Sequence, residues 1–223
     1  MSNAPHRLSL ELTHLWDKVT GQLARRQSLA KQQFAAALAR LGSEDLAIDL
    51  GANAGEFTRA MADTGAQVYA FEPDPHALDL LHAHVGGMPN VTIIAAAAGT
   101  ENTKAKLYRK VGFAHEPDRA SKSSSLFAEK SNVSLSSALD VEVIDFTAFL
   151  GQLDRPVALM KIDIEGGEVP LMEALLSRQD RLAIQEIYVE THERKLPHLA
   201  MRTRALRDNF AARHLPQVNW DWH

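Results

Sequence analysis

Apolar positions along this chain fall into two rhythms. From residue 46 onward, short continuous apolar runs alternate with stretches in which apolar residues recur at helical spacing. Runs at 46–50, 67–71, 91–97, 157–164 and 184–190 predict the main strands, and their nearly unbroken apolar character suits strands buried on both faces. Between them, 56–64 predicts a helix closed by Gly65, and Pro75 opens a helix that runs to Val85 before Gly86-Gly87. Residues 168–176 and 197–213 predict two more helices. An extra edge strand is expected over 104–109, a short strand over 141–144 and a brief helix over 146–150. Strands that alternate with helices imply an α/β fold, a mostly parallel sheet with helices on both faces.

Ahead of this unit the rhythm is purely helical. Leu8, Leu12, Leu15, Trp16, Val19 and Leu23 share one face, as do Leu29, Phe34, Leu38 and Leu41, with Gly21 as a break between two helices and Gly42-Ser43 as the stop. The division expected is an N-terminal helical extension over 1–43 and a cofactor-binding domain over 44–223. The extension reads as a layer packed on the main domain with Trp16 as core filling, or as a lid or dimer arm through which a homo-oligomer would form. Residues 112–140 stand apart, crowded with serines from Ser121 to Ser137 and poor in apolar anchors. A stretch of this kind is a lid or binding loop, or else a solvated surface loop.

Composition narrows the classes. The chain has 223 residues, 45% of them hydrophobic, enough for one sizeable core. Its net charge of −4 does not suit a general nucleic-acid binder. With no cysteine, disulfides and thiolate metal sites are excluded. No apolar run is long enough for a membrane span, and the polar start Met1 to Arg7 is unlike a signal peptide, so a cytoplasmic protein is expected.

The chemistry concentrates where strands end. The first strand leads into Asp49, Gly51, Asn53 and Gly55, a G-x-N-x-G loop, and the second ends in Phe71-Glu72-Pro73. A dinucleotide fingerprint needs a third glycine, where Glu-Phe-Thr stands here, and Glu56 would oppose a pyrophosphate in the first helical turn. Asp49 suits a cationic group such as the amino group of a methionine moiety, and the oxygens of Glu72 can accept both hydroxyls of a ribose. That pairing points to S-adenosylmethionine rather than NAD, although an NAD-binding oxidoreductase and a non-catalytic cofactor-binding protein remain the alternatives.

Two further clusters fall on the same sheet edge. Lys161-Ile-Asp163-Ile-Glu165-Gly166-Gly167-Glu168 lies at the end of the fourth main strand, with Lys161 and Asp163 on one face. Glu190-Thr191-His192 ends the fifth, where an imidazole has the chemistry to deprotonate an attacking hydroxyl. Glu190, His192 and Asp163 can also be read as ligands of a divalent ion, but no paired-histidine spacing supports that, and no metal is expected.

Together these stretches resemble the FkbM family of S-adenosylmethionine-dependent methyltransferases. The matching segments are Asp49-Leu-Gly-Ala-Asn-Ala-Gly-Glu-Phe-Thr58, Phe71-Glu-Pro73, Lys161-Ile-Asp-Ile-Glu-Gly-Gly-Glu168 and Glu190-Thr-His192, in that order over roughly 46–193. The resemblance implies a class I methyltransferase (Rossmann-like) fold with a seven-stranded sheet. It also implies methyl transfer to oxygen on a small-molecule or glycan acceptor such as a sugar or secondary metabolite. It places Asp49, Gly51, Asn53 and Gly55 around the methionine part of the cofactor and Glu72 on the ribose. Asp163 then faces the sulfonium and acceptor, with Asp163 or His192 as the base. Two departures stand out. Ala95-Ala-Ala-Ala98 occupies a place where a polar side chain often reads adenine, and the tail after 213 is short for a closing antiparallel pair. Asn219-Trp-Asp-Trp222 reads as an edge strand that buries its tryptophans, or as a stacking platform for a sugar ring.

Overall fold

The computed structural model describes residues 21–178 and 184–222. The first expected helix, with Trp16, lies outside them. The described part begins with helix α1 (Gln22–Leu38), whose N-cap is Gly21. The main sheet then alternates with helices: β1 (Leu46–Leu50), α2 (Glu56–Ala62), β2 (Gln67–Phe71), α3 (Pro75–Val85) and β3 (Val91–Ile94). An insertion follows, made of β4 (Ala97–Gly99), β5 (Thr103–Lys110), α4 (Pro117–Ser121) and β6 (Val133–Asp145). The chain returns through α5 (Phe146–Leu150), β7 (Val157–Ile162), α6 (Glu168–Ser177), β8 (Ile184–Val189), a 3-10 turn (Pro197–Leu199), α7 (Ala200–Ala211) and β9 (Gln217–Asn219).

The main sheet has six strands in the order β3-β2-β1-β7-β8-β9, all paired in parallel. The order reverses between β1 and β7, so a crevice opens beyond their carboxyl ends. β1 is buried along its whole length, with Leu46, Ala47, Ile48 and Leu50 at most 2% exposed. On one face Phe71, Phe146, Leu171, Met172 and Met160 pack into the larger core. On the other, α1 lays Ala30, Phe34 and Ala37 against Met61, Tyr188 and Trp222. Phe34 stands tilted on Trp222 at 4.4 Å between ring centroids, and Phe57 meets Trp222 edge-on at 5.2 Å. Edge-on and tilted pairs of this kind contribute on the order of 0.5–1.5 kcal/mol beyond their area. Trp222 is thus core, and Trp220 packs at a tilt against Phe210 beside the edge strand β9.

Several expectations need correction. Instead of a seven-stranded sheet, the described residues form six strands plus a separate three-stranded sheet, β4-β6-β5. The run expected as one strand over 91–97 breaks at Ala96, whose N–H bonds back to Ile94 O at 2.9 Å, and β4 joins the second sheet. β5, the expected extra edge strand, is the edge of that second sheet, antiparallel to β6. The expected irregular stretch 112–140 contains α4 and the first half of β6. β9 runs parallel to β8, so the described residues show no antiparallel pair on the main sheet. Among them, no helix is long and apolar enough to cross a membrane.

Candidate functional site

The loop after β1 is held by backbone. The N–H groups of Gly51 and Ala52 both donate to Phe71 O at 3.0 Å, which turns the chain sharply over β2. Gly51 has φ +78°, and a Cβ there would lie 1.9 Å from Asp163 O, so no other residue fits against β7. Asn53 also sits at positive φ, 46°. Its N–H donates to Glu72 Oε2 at 2.9 Å, its Nδ2 donates to Ser121 Oγ at 3.0 Å, and its buried Oδ1 has no partner. Gly55 caps α2 and backs onto Leu81, away from the cleft, so only its neighbours reach the site.

Below this loop lies an ion pair set by strand register. Asp49 and Lys161 are opposite each other on β1 and β7. Lys161 Nζ is 3.2 Å from Asp49 Oδ1, and it donates to Gly51 O at 2.9 Å. Thr58 Oγ1 donates to the other oxygen of Asp49 at 2.7 Å. Burial works against the lysine's charge, but the Asp49 and Asp163 carboxylates hold its pKa above the ordinary lysine value. Asp49 is fully buried in this pair, so it supports the loop from beneath and does not line the cleft where the cofactor's ammonium was expected.

Glu72 does line it. Its Oε1 accepts from Asp74 N–H at 2.8 Å and its Oε2 from Asn53 N–H. Burial pushes its carboxyl up to about 7, against the pull of those two donors. Asp74 caps α3 and takes Arg109 in a two-point pair at 2.7 and 3.0 Å, which ties the insertion to the end of β2.

Asp163 follows β7 and faces the cleft. Its Oδ2 lies 3.8 Å from Lys161 Nζ, while Oδ1 is buried without a hydrogen-bond partner. Burial raises its carboxyl to about 7, although Lys161 pulls the other way. The turn that follows puts Glu165 at φ 53° and Gly166 at φ 122°. Glu168, at the start of α6, staples this turn by accepting from the N–H groups of Ile164 and Gly166, both at 3.0 Å.

His192 lies behind the turn rather than in the cleft. Its Nδ1 is 3.0 Å from Glu168 Oε1, and its Nε2 is 3.1 Å from Glu165 Oε2 but out of line for a hydrogen bond. Burial alone would lower its pKa, yet the two carboxylates outweigh it and raise the imidazole to about 10. A ring held in its protonated form by two carboxylates is a poor general base. Glu165 is the counterpart: burial raises its carboxyl, but His192, Lys130 and Lys195 bring it down to about 2. The atoms offered by Asp163, Glu165 and His192 lie within 4.8 Å of one another, a spacing that can hold a cation.

The roof comes from the serine-rich segment, which composition flagged without revealing any individual contact. Ser121, Lys122, Ser124 and Leu126 close over the loop 51–54. Ser124 Oγ donates to Asp74 at 3.3 Å, and Ser125 Oγ donates to Glu165 O at 2.6 Å. Lys130, almost wholly buried, donates to Ser123 O at 2.7 Å and pairs with Glu165. The cleft runs between the loop 51–54, the ends of β2 and β7, and this roof. Two buried acceptors here, Asn53 Oδ1 and Asp163 Oδ1, lack partners, and the Glu72 carboxylate is buried beside them. Such a set fits a ligand rich in donors and positive charge, and it opposes a pyrophosphate.

A family model described as the methyltransferase FkbM domain matches residues 49–214. A ribosomal RNA small subunit methyltransferase A of Phenylobacterium zucineum (strain HLK1) is 32% identical over 99 residues, 44% of this chain. That stretch spans about a third of the relative's length, 35%. The crystal structure of Trm5b from Pyrococcus abyssi aligns over 84% of this chain and 40% of that one, at 13% identity and a TM-score of 0.36. The chain belongs to the family of FkbM methyltransferase domains, with a class I methyltransferase fold and S-adenosyl-L-methionine as its methyl donor.

Proposed function

We propose that this domain transfers the methyl group of S-adenosyl-L-methionine to a hydroxyl oxygen of a small molecule or glycan. The observation that carries this reading is the Asp163 carboxylate, which lines the cleft with one oxygen buried and unpartnered. In this reading Glu72 accepts from the ribose hydroxyls, Ala96, Ala97 and Ala98 lie beside the adenine, and Gly51 with Asn53 borders the methionine chain. Asp49 acts through Lys161, which fixes the loop by its bond to Gly51 O.

A sulfonium methyl is already activated, so the domain's task is placement. The acceptor oxygen forms a bond to the methyl carbon, the carbon–sulfur bond breaks with its electrons going to sulfur, and the acceptor proton passes to Asp163. As the sulfonium charge disappears, the carboxylate loses a reason to stay ionised, so proton uptake and methyl transfer favour each other. His192 serves as a positioning residue that locks the 163–168 turn through Glu165 and Glu168.

Two readings compete. The RNA substrate in the name of the Phenylobacterium relative makes a nucleic-acid acceptor worth testing, but the matched stretch is short and this chain's net charge is −4. An NAD-binding oxidoreductase is opposed by the carboxylates around the cleft. The test is calorimetric titration with S-adenosylhomocysteine and with NAD, followed by labelled methyl transfer to sugars, hydroxylated metabolites and RNA. Binding of the homocysteine product with transfer to a hydroxyl compound is expected. Binding of NAD alone, or transfer to RNA alone, overturns the reading.

A further inference from the structure

We infer that the carboxyl ends of β7 and β8 carry a site for one hard divalent cation of the Mn²⁺ or Mg²⁺ class, held by Asp163, Glu165 and His192, at the edge of the methyl-transfer cleft. This goes against the sequence expectation of no metal, and against the reading of His192 as a base.

The ligand atoms come from neighbouring strand ends. Asp163 follows β7, and His192 follows β8, its parallel neighbour. The three residues offer atoms that all lie within 4.8 Å of one another. His192 Nε2 is 3.1 Å from Glu165 Oε2 and 3.9 Å from Asp163 Oδ1. Adjacent ligands on an octahedral ion with bonds of roughly 2.1 Å stand about 3 Å apart, and opposite ones about 4.2 Å. The two separations from His192 Nε2, 3.1 and 3.9 Å, lie between those values.

Independent of the acidic cluster is the state of the imidazole. The ring is 5% exposed, and its Nε2 points into the group without a hydrogen-bond partner. Its other nitrogen faces Glu168, which in turn is fixed by two backbone N–H groups. A histidine whose far nitrogen donates to an anchored carboxylate, leaving Nε2 turned inward, has the arrangement of a metal ligand with its supporting shell. Asp163 Oδ1 is a second buried atom without a partner at the same spot.

Charge points the same way. Asp49, Asp163, Glu165, Glu168 and Glu190 gather here, with Glu190 Oε1 3.6 Å from Nε2, against the ammonium groups of Lys130, Lys161 and Lys195. A divalent ion balances that excess. Carboxylate oxygens with one imidazole suit Mn²⁺ or Mg²⁺ better than a soft ion. Asp163 lies on the cleft, so an ion there meets the acceptor's oxygen and eases loss of its proton.

The test is direct binding to the full chain, stripped with a chelator. Mn²⁺ is titrated by calorimetry and by loss of its free electron-spin signal, in wild type and in Glu190→Gln, Asp163→Asn and His192→Gln. We expect about one ion per chain, with affinity falling about tenfold or more in Asp163→Asn and His192→Gln, and a smaller loss in Glu190→Gln. Circular dichroism checks that each variant is folded, and Asp163→Asn, at the partly open edge, keeps the test valid if His192→Gln is not. Absence of binding at millimolar Mn²⁺, or binding that Asp163→Asn leaves unchanged, overturns the site. Methyl transfer in excess chelator, with Mn²⁺ still bound by the untreated protein, overturns its catalytic use alone and leaves the methyltransferase reading standing.

Discussion

Replacing Glu72 by Gln isolates the cost of keeping an acid in the cleft. The carboxyl is 6% exposed, and burial lifts it from its ordinary 4.5 to about 7. The folded state therefore binds this proton more tightly than the unfolded chain does. Stability from this group is complete below 4.5 and is lost as pH rises through 7. At 1.36 kcal/mol for each pH unit the whole loss is roughly 3 kcal/mol, of which roughly 2.5 falls between about pH 5 and about pH 8. The amide removes the titration but sets an NH₂ against one of the N–H donors of Asn53 or Asp74, a pH-independent penalty of about 1–3 kcal/mol. Wild type should thus be the more stable at acid pH, with its advantage shrinking by roughly 2.5 kcal/mol at about pH 8. Urea unfolding of both proteins without cofactor, at the two pH values, measures this. A gap between them that does not move with pH refutes the raised carboxyl. Ribose hydroxyls donating to the ionised acid reverse the shift. Binding of S-adenosylhomocysteine to wild type near neutrality should then release a proton, seen as a heat that depends on the buffer and is absent in Glu72→Gln.

Three further outcomes follow from the same geometry. Gly51→Ala drives a methyl group into Asp163 O at a positive φ, so it should cost about 3 kcal/mol or more in thermal or urea unfolding and abolish binding of S-adenosylhomocysteine. Asp163→Asn should lower kcat by about 10²–10⁴ while leaving the homocysteine product bound within about tenfold. Equal losses in affinity and turnover would count against a role in the chemical step. Trp222→Ala removes the ring shared by Phe34, Phe57 and Tyr188 and should destabilise by about 3–5 kcal/mol, read as a fall in the urea midpoint.

What could be read in the sequence was what is written in local order. β1, β2, α3 and α5 begin and end where apolar runs, Pro75 and the glycines after Val85 say they should, because each is a short element with its own stop signal. Glu72 and Asp163 were found as acids at strand ends beside a glycine turn, and both line the cleft. β6 was mostly missed because its first half mixes serines with half-buried residues, and its order comes from backbone pairing with β5 rather than from an apolar period. Asp49 and His192 were placed correctly along the chain yet misjudged in environment. The partner of Asp49 is fixed by the register of β1 on β7, and those of His192 by a turn from another strand. Such pairings span more than a hundred residues in one case and leave no local pattern.

The two sides of the cleft are built by different means, and this bears on how the domain changes its acceptor. The floor, from Gly51 to Asn53, is fixed by main-chain bonds and a contact that admits no side chain, so it tolerates almost no variation. The roof from Ser121 to Leu126 is fastened mainly by hydroxyl tips and one buried lysine, bonds that contribute about 1 kcal/mol each where neutral and about 1.5–3 kcal/mol where one partner is charged. A single exchange there loosens one fastening without unfolding the sheet. New selectivity can therefore accumulate at Lys122, Ser124 and Leu126 while the methyl donor's seat stays as it is, which makes the insertion an interchangeable jaw on a fixed vice.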